Sequence, residues 1–198
     1  PTATNCTFTG NHSDFGGGGM YSNSSDLTMI NCTFTGNSAP SGGGVYNYST
    51  NPKVTNCIFW GDTPEEIYGG EIYFTYCVIS DDQPNSYGTN NINTDPMLSS
   101  LADNGGPTQT CALGEGSSAI DSGLTIDTIS SDQRGFARPW PEDGSFDIGA
   151  YEYGVGEDTP PVEDDGNGSL TSEDGCNLGF LSPVFSMILL PLMFLLKK

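Results

Sequence analysis

Positive charge is nearly missing from this sequence. Lys and Arg total 5 against 25 acidic residues, for a formal net charge of −20. Two of those five are the terminal Lys197 and Lys198, so the body of the chain holds only Lys53, Arg134 and Arg138. Such a surface repels nucleic acid and anionic lipid, which rules out nucleic acid as a partner. Its plain reading is solubility outside the cell. Histidine is as scarce: His12 stands alone, without a plausible Ser or Cys triad partner in the sequence. No segment before the C-terminal tail keeps a helical period, which argues against a helical domain. A Met start and a signal-peptide pattern are also missing, while a repeat is already under way at Asn5-Cys6. The chain is therefore read as the C-terminal part of a longer solenoid, and export is not excluded.

What the sequence does have is repetition. Asn5-Cys6-Thr7-Phe8-Thr9-Gly10-Asn11 returns unchanged as Asn31-Cys32-Thr33-Phe34-Thr35-Gly36-Asn37. Asn56-Cys57-Ile58-Phe59-Trp60-Gly61-Asp62 is a third copy, and Tyr76-Cys77-Val78-Ile79 a degenerate fourth. A second element recurs between them: Gly17-Gly18-Gly19-Met20-Tyr21, then Gly42-Gly43-Gly44-Val45-Tyr46, then Gly69-Gly70-Glu71-Ile72-Tyr73. The short runs of Thr, Phe, Val, Ile and Tyr alternate with period 2, and Gly, Asn, Ser and Pro separate them. One such unit cannot bury its own apolar face, but stacked units form a continuous core. The expected fold is all-β: a right-handed parallel β-helix with a C-terminal cap, a disordered acidic linker and a C-terminal hydrophobic helix.

Cys and Phe stand at i and i+2, so they share one face of a strand. Placed inward, Cys6 with Phe8, Cys32 with Phe34, Cys57 with Phe59 and Cys77 with Ile79 form two internal ladders. The cysteines read as small buried apolar residues; disulfides between neighbouring coils are a second reading. Asn11 and Asn37 are expected to stack at a corner, and the glycines to allow tight corners or close backbone approach. The segment Asn31 to Asn47, NCTFTGNSAPSGGGVYN, resembles the pectate-lyase-like β-helix repeats of large bacterial surface proteins, polymorphic outer-membrane proteins among them. That resemblance covers roughly residues 1–80 and is specific to fold, not to an activity; the coils are expected over residues 1–82.

Residues 83–153 change character. Asp95-Pro96-Met97-Leu98, Ala102 to Thr108, Gly116 to Gly123, Asp132 to Pro139 and Phe146 to Glu152 follow in order. The series resembles the choice-of-anchor Q domain, which follows such coils in many secreted bacterial proteins; Cys111 departs from that pattern. Independently, the last coil of a solenoid must be covered, and this segment suits final irregular coils and a cap. Within it, Arg134 and Arg138 are expected to pair with Asp121, Asp132 or Asp147 and anchor the cap. Asp121, Asp127, Asp132, Asp143 and Asp147 also invite Ca²⁺, though no loop has a calcium-binding spacing. No other cofactor or metal is expected.

Residues 154–175 are acidic and rich in Pro and Gly, as befits a disordered linker. In residues 176–198, the uncharged stretch from Leu178 to Leu196 is long enough for one membrane span, and Lys197-Lys198 fall on its cytoplasmic side by the positive-inside rule. With Gly175 and Cys176 before it, this tail resembles bacterial C-terminal sorting signals of the Synergist-CTERM type. The resemblance implies a sorting protease acting at or near Cys176, which could then carry a lipid, and a protein held at the cell surface or outer membrane of a bacterium.

An enzyme of this fold class needs a site of its own. Lyases of this shape use an Arg or Lys base beside an acidic calcium cluster, and the coils offer only Lys53. Paired carboxylates for glycoside hydrolysis are not evident among Asp14, Asp26, Asp62, Glu65, Glu66, Glu71, Asp81 and Asp82, which fall mostly in turns. The expected role is non-catalytic: an adhesin, stalk or surface-binding protein meeting a surface glycan or a host or neighbour-cell ligand. Tyr21, Tyr46, Tyr48, Tyr73 and Trp60 form the candidate sugar-stacking strip. The alternative is a polysaccharide lyase or hydrolase whose site lies on preceding coils.

Overall fold

The computed structural model describes residues 1–23, 27–48, 51–80, 88–141, 144–154 and 177–179. The first coil has three short strands, β1 (Thr2–Thr4), β2 (Thr7–Thr9) and β3 (Met20–Asn23). The second repeats them as β4 (Thr28–Ile30), β5 (Thr33–Thr35) and β6 (Val45–Tyr48), and the third as β7 (Lys53–Thr55), β8 (Ile58–Trp60) and β9 (Ile67–Gly69). Then come β10 (Tyr73–Thr75), β11 (Val78–Ile79) and β12 (Gly88–Thr89). Equivalent strands pair in parallel, residue on residue: Thr7 on Thr33 and Thr33 on Ile58, for example. Three sheets result, in the orders β12-β10-β7-β4-β1, β11-β8-β5-β2 and β3-β6-β9.

A two-residue corner joins the first two sheets, and its first residue is in the left-handed region. Asn5, Asn31 and Asn56 have φ of 52°, 51° and 52° there. Asparagine tolerates this conformation better than most residues because its short amide bonds locally. Tyr76 takes the same turn at φ 53° in the degenerate fourth repeat, without that compensation. The asparagine amides also climb the stack: Asn31 Nδ2 donates to Asn5 Oδ1 at 3.2 Å and Asn56 Nδ2 to Asn31 Oδ1 at 3.0 Å. This bonding leaves Asn31 and Asn56 fully buried.

Cys6, Cys32 and Cys57 follow the asparagines and Cys77 follows Tyr76; all four are fully buried. The sulfurs do more than fill space. Cys32 N–H donates to Cys57 Sγ and Cys57 N–H to Cys77 Sγ, each at 3.4 Å. Asn91 takes the next rung, accepting Cys77 N–H at 3.0 Å. Cys32, Cys57, Cys77 and Cys111 are free thiols, so no disulfide bridges the neighbouring coils of Cys32, Cys57 and Cys77; Cys6 is in a disulfide. Burial pushes the Cys57 thiol well up and the Cys77 thiol to about 12, which makes both poor nucleophiles. Phe8, Phe34 and Phe59 stack beside them with centroids 4.5 and 4.8 Å apart, and Phe74 closes on Phe59 edge-on. Ile79 continues the row, 4% exposed.

The glycine-rich element departs from its sequence alignment in the third coil. The strand register sets Met20 on Val45 and Val45 on Ile67, so Glu65-Glu66 occupy the place of the glycines, and Gly69–Tyr73 lead onward to β10. In the first two coils glycine is required twice over. Gly17 and Gly42 have φ of 63° and 61°. A Cβ on Gly18 would lie 2.5 Å from Gly43 O.

Past the last strands the chain does not simply close the end of the stack. It folds back along the outer face of the β2-β5-β8-β11 sheet. Leu124 meets Asn56, Ser131 meets Asn5, Gln133 meets Thr7, and Ala150 N–H donates to Thr33 Oγ1. Ile58, Val78, Leu113, Ala119 and Ile148 form a second apolar core between this segment and the sheet, with Trp60 and Tyr151 against it. Gly149 is needed there: a Cβ would lie 2.7 Å from Ile58 Cδ1. The cap expected from sequence is thus largely a lateral brace. The physical reason is the face available, since Ile58, Trp60 and Val78 point outward from their strands and need cover.

Of the expected C-terminal helix, residues 177–179 are instead a strand, β13 (Asn177–Gly179), antiparallel to β1. The open edge of β1 offers backbone partners that a helix start would not use. The remainder of the apolar tail, with Gly175 and Cys176, and the acidic linker from residue 155 lie outside the described residues. Among the described residues no helix is long and apolar enough to cross a membrane.

The stack of phenylalanines makes a direct prediction. Replacing Phe34, enclosed by Phe8 and Phe59, with Ala should lower the unfolding free energy by about 3–5 kcal/mol. Phe8→Ala should cost distinctly less, because Phe8 is only partly buried. Urea unfolding of the two variants measures both.

Candidate functional site

Four groups of polar or aromatic side chains could carry function. The first surrounds His12, to which the sequence assigns no triad partner. The structure supplies a neighbour on each side. His12 Nδ1 lies 2.9 Å from Ser38 Oγ, and Nε2 lies 3.3 Å from Asp14 Oδ1. Ser38 was hidden because it lies one full coil away, directly beneath His12 in the bridge series His12, Ser38, Thr63. Proximity is not yet catalysis. The His12 and Asp14 side chains are 66% and 87% exposed, so water screens their interaction. Acyl transfer also needs free N–H groups aimed at the developing oxyanion. Here the N–H groups of Ser38, Ala39, Gly17, Gly18 and Gly19 already bond to neighbouring coils. The cluster is an exposed polar contact.

The second group is the brace. Arg134 Nε pairs with Asp132 Oδ2 at 2.8 Å, and its guanidinium lies 3.7 Å from the Tyr151 ring centroid. Arg138 does not pair with an aspartate as expected. Its Nε lies 2.8 Å from Glu152 Oε2, both side chains being fully buried. The N–H is not aligned with that oxygen, and among the described residues Nη1 has no hydrogen-bond partner, so the Nε contact is one of charge. Nη2 donates to Gly149 O at 3.0 Å. Asp147 instead serves backbone groups, accepting from the N–H groups of Asp121 and Tyr153. Glu152 also accepts from Trp140 and Asp147 N–H, at 2.9 and 3.2 Å. The one signal for Glu152 in sequence is a carboxylate closing the otherwise apolar run Ile148 to Tyr151.

Burial dominates the titration of this network. It raises Glu152 to about 7, helped by the Asp147 charge and opposed by Arg138. It raises Asp147 to about 6 against the Asp121 and Tyr153 N–H bonds and the Arg138 charge. These oxygens are committed to N–H groups and arginine, which leaves little for a cation. Asp143, one of the five aspartates considered for Ca²⁺, lies outside the described residues. Among the described residues no three His, Cys, Asp or Glu side chains converge to hold a metal.

The third group is Asp62 with Glu66, brought together because Glu66 takes a glycine position. Asp62 is 6% exposed and Glu66 8%. Asp62 Oδ1 accepts from Asn37 N–H and Nδ2, while Glu66 accepts from Gly61 and Asp62 N–H. Closed off from solvent and tied to backbone, they are not poised for glycoside hydrolysis. Lys53, the remaining candidate base, is exposed at the start of β7 between Thr28 and Tyr73.

The aromatic strip divides. Tyr21 and Tyr46 stack at 5.1 Å and 16°, and Tyr68, missed in sequence, follows at 5.1 Å. Tyr48 is exposed near the end of β6, Tyr73 lies on the β10 sheet, and Trp60 packs beneath the brace. Tyr21 and Tyr68 are exposed at the two ends of this row, and Tyr46 is half-buried between them.

The brace is testable. Arg138→Ala leaves Glu152 buried and unpaired and should cost about 3–5 kcal/mol in urea unfolding. Replacing Arg138 with Met and Glu152 with Gln, whose amide oxygen still accepts an N–H, should recover part of that loss; a double variant no better than Arg138→Ala would contradict the charge pairing.

No curated protein and no solved structure matches the chain. A family model does match, over residues 1–101, and agrees with the three parallel sheets. The chain belongs to the family described as the right-handed beta helix region.

Proposed function

We propose that this chain is a rigid, non-catalytic part of an exported bacterial surface protein, serving as a stalk or adhesive module. The carrying observation is how its buried polar side chains are spent. Asn31, Asn37, Asn56, Asp62, Glu66, Asp132, Asp147 and Glu152 hold coil to coil or brace the sheet. A solenoid so tied is suited to bearing and displaying. Contact with a surface glycan or a neighbour-cell ligand would fall on the exposed Tyr21 and Tyr68.

The resemblances of residues 83–153 to the choice-of-anchor Q domain and of the tail to Synergist-CTERM signals support export and surface attachment. In this reading a sorting protease acts near Cys176, and the apolar stretch before Lys197-Lys198 engages the membrane. A glycan array and an assay for unsaturated uronate products, both on the full-length protein, test the role. Glycan or cell-surface binding without product is expected, and turnover of a uronate polymer would refute it. Mass measurement of the mature C-terminus tests the tail: processing predicts loss of Lys198, and an intact Lys198 would sink that part.

A further inference from the structure

A ladder of side chains runs down the second corner of the stack and changes chemistry at its last rung. Asn11 N–H and Nδ2 donate to Asn37 Oδ1 at 3.1 and 2.9 Å. Asn37 N–H and Nδ2 donate to Asp62 Oδ1 at 2.6 and 2.8 Å. Each N–H is received by the side chain one coil on. At Asp62 the pattern turns back on its own coil: Asp62 N–H donates to Glu66 Oε2 at 3.2 Å, and Gly61 N–H to Glu66 Oε1 at 2.8 Å.

Glu66 can do this because it stands where the earlier coils have Gly19 and Gly44. Those glycines lie directly against the next rung. A Cβ on Gly19 would be 3.2 Å from Asn37 Nδ2, and one on Gly44 would be 2.6 Å from Asp62 Oδ2. In the third coil a carboxylate fills the equivalent space. The exchange leaves one atom unaccounted for. An asparagine at 62 would place an NH₂ where Asp62 has Oδ2, and this oxygen is buried with no donor among the described residues. Two carboxylates meeting in a closed space cannot both ionise without cost.

We propose that Asp62 and Glu66 share a single proton, donated by Glu66 to Asp62 Oδ2, and that this proton closes the third coil in a pH-dependent way. It supplies the donor that the amide supplies in the coils above. A cation in its place is disfavoured: Oδ2 abuts Gly44, and both Glu66 oxygens are held by N–H groups. The groups facing the pair are few. Asn37, above, does not titrate. Glu65, on the same turn, directs Oε1 to Gly42 N–H at 2.8 Å. Burial and the Asp62 charge raise Glu66 to about 8, and burial raises Asp62 as well. The folded value of Glu66 thus lies above its ordinary 4.5. Its contribution to stability is full below about 4.5 and is lost as the pH rises through about 8.

Asp62→Asn restores an amide donor at Oδ2 and frees Glu66 to ionise, so the closure no longer needs a proton. Urea unfolding of the full chain and of D62N between pH 5 and about 9 separates this pair from the brace acids, which both proteins share. The unfolding equilibrium constant of the natural chain should rise at least about tenfold relative to D62N across that range. Parallel profiles would overturn the proposal. Glu66→Gln, whose amide can donate to the Asp62 carboxylate, should follow the D62N profile and serves if D62N does not fold. Carboxyl ¹³C NMR gives a direct reading. One glutamate signal absent from E66Q should titrate near pH 8, and its titration with the exposed glutamates would equally overturn the assignment.

Discussion

Each coil turns corners at which one backbone N–H leaves the strand ladder and finds no carbonyl opposite it. All but that of Asn11 lie in buried residues, where such groups must be satisfied. The rest of the structure depends on the answer: a side chain from the next coil supplies the acceptor. At one corner it is the cysteine sulfur, then Asn91; at the other it is Asn37, then Asp62. Repetition follows from this, because an acceptor is useful only at the same place in every coil. Identical residues stack because each completes the bonds of its copy above.

The same constraint shows where the repeat ends. A ladder of acceptors needs a final member, and both corners change residue there. Asn91 replaces cysteine, with its Nδ2 donating to Phe74 O at 3.2 Å. Glu66 reaches back from a glycine position to receive Gly61 and Asp62 N–H. These substitutions let the corners close without another identical coil.

The brace answers a different need. Ile58, Trp60 and Val78 in the later coils stand where Thr7, Thr9, Thr33 and Thr35 stand in the earlier ones. An outward apolar surface costs hydration free energy unless covered, and the returning segment covers it. The buried pairs Arg134–Asp132 and Arg138–Glu152 fix the shape of that segment more than its depth of stability, since buried ion pairs contribute little net energy over apolar packing.

The coil architecture was legible in the sequence. Repeats that identical can only stack in register, and the period-2 runs set Cys and Phe on one face. The left-handed corners suit the short amides of Asn5, Asn31 and Asn56, but Tyr76 takes the same turn without one, so the path of the coil imposes it there. Tertiary structure decided what lies between distant coils. The proximity of Ser38 to His12, the place of Glu66 beneath Gly44, the pairing of Arg138 with Glu152 and the burial of Trp60 all depend on register or on the path of the brace. A one-dimensional pattern carries spacing along the chain; it does not say which side chain a whole coil, or a returning segment, brings alongside.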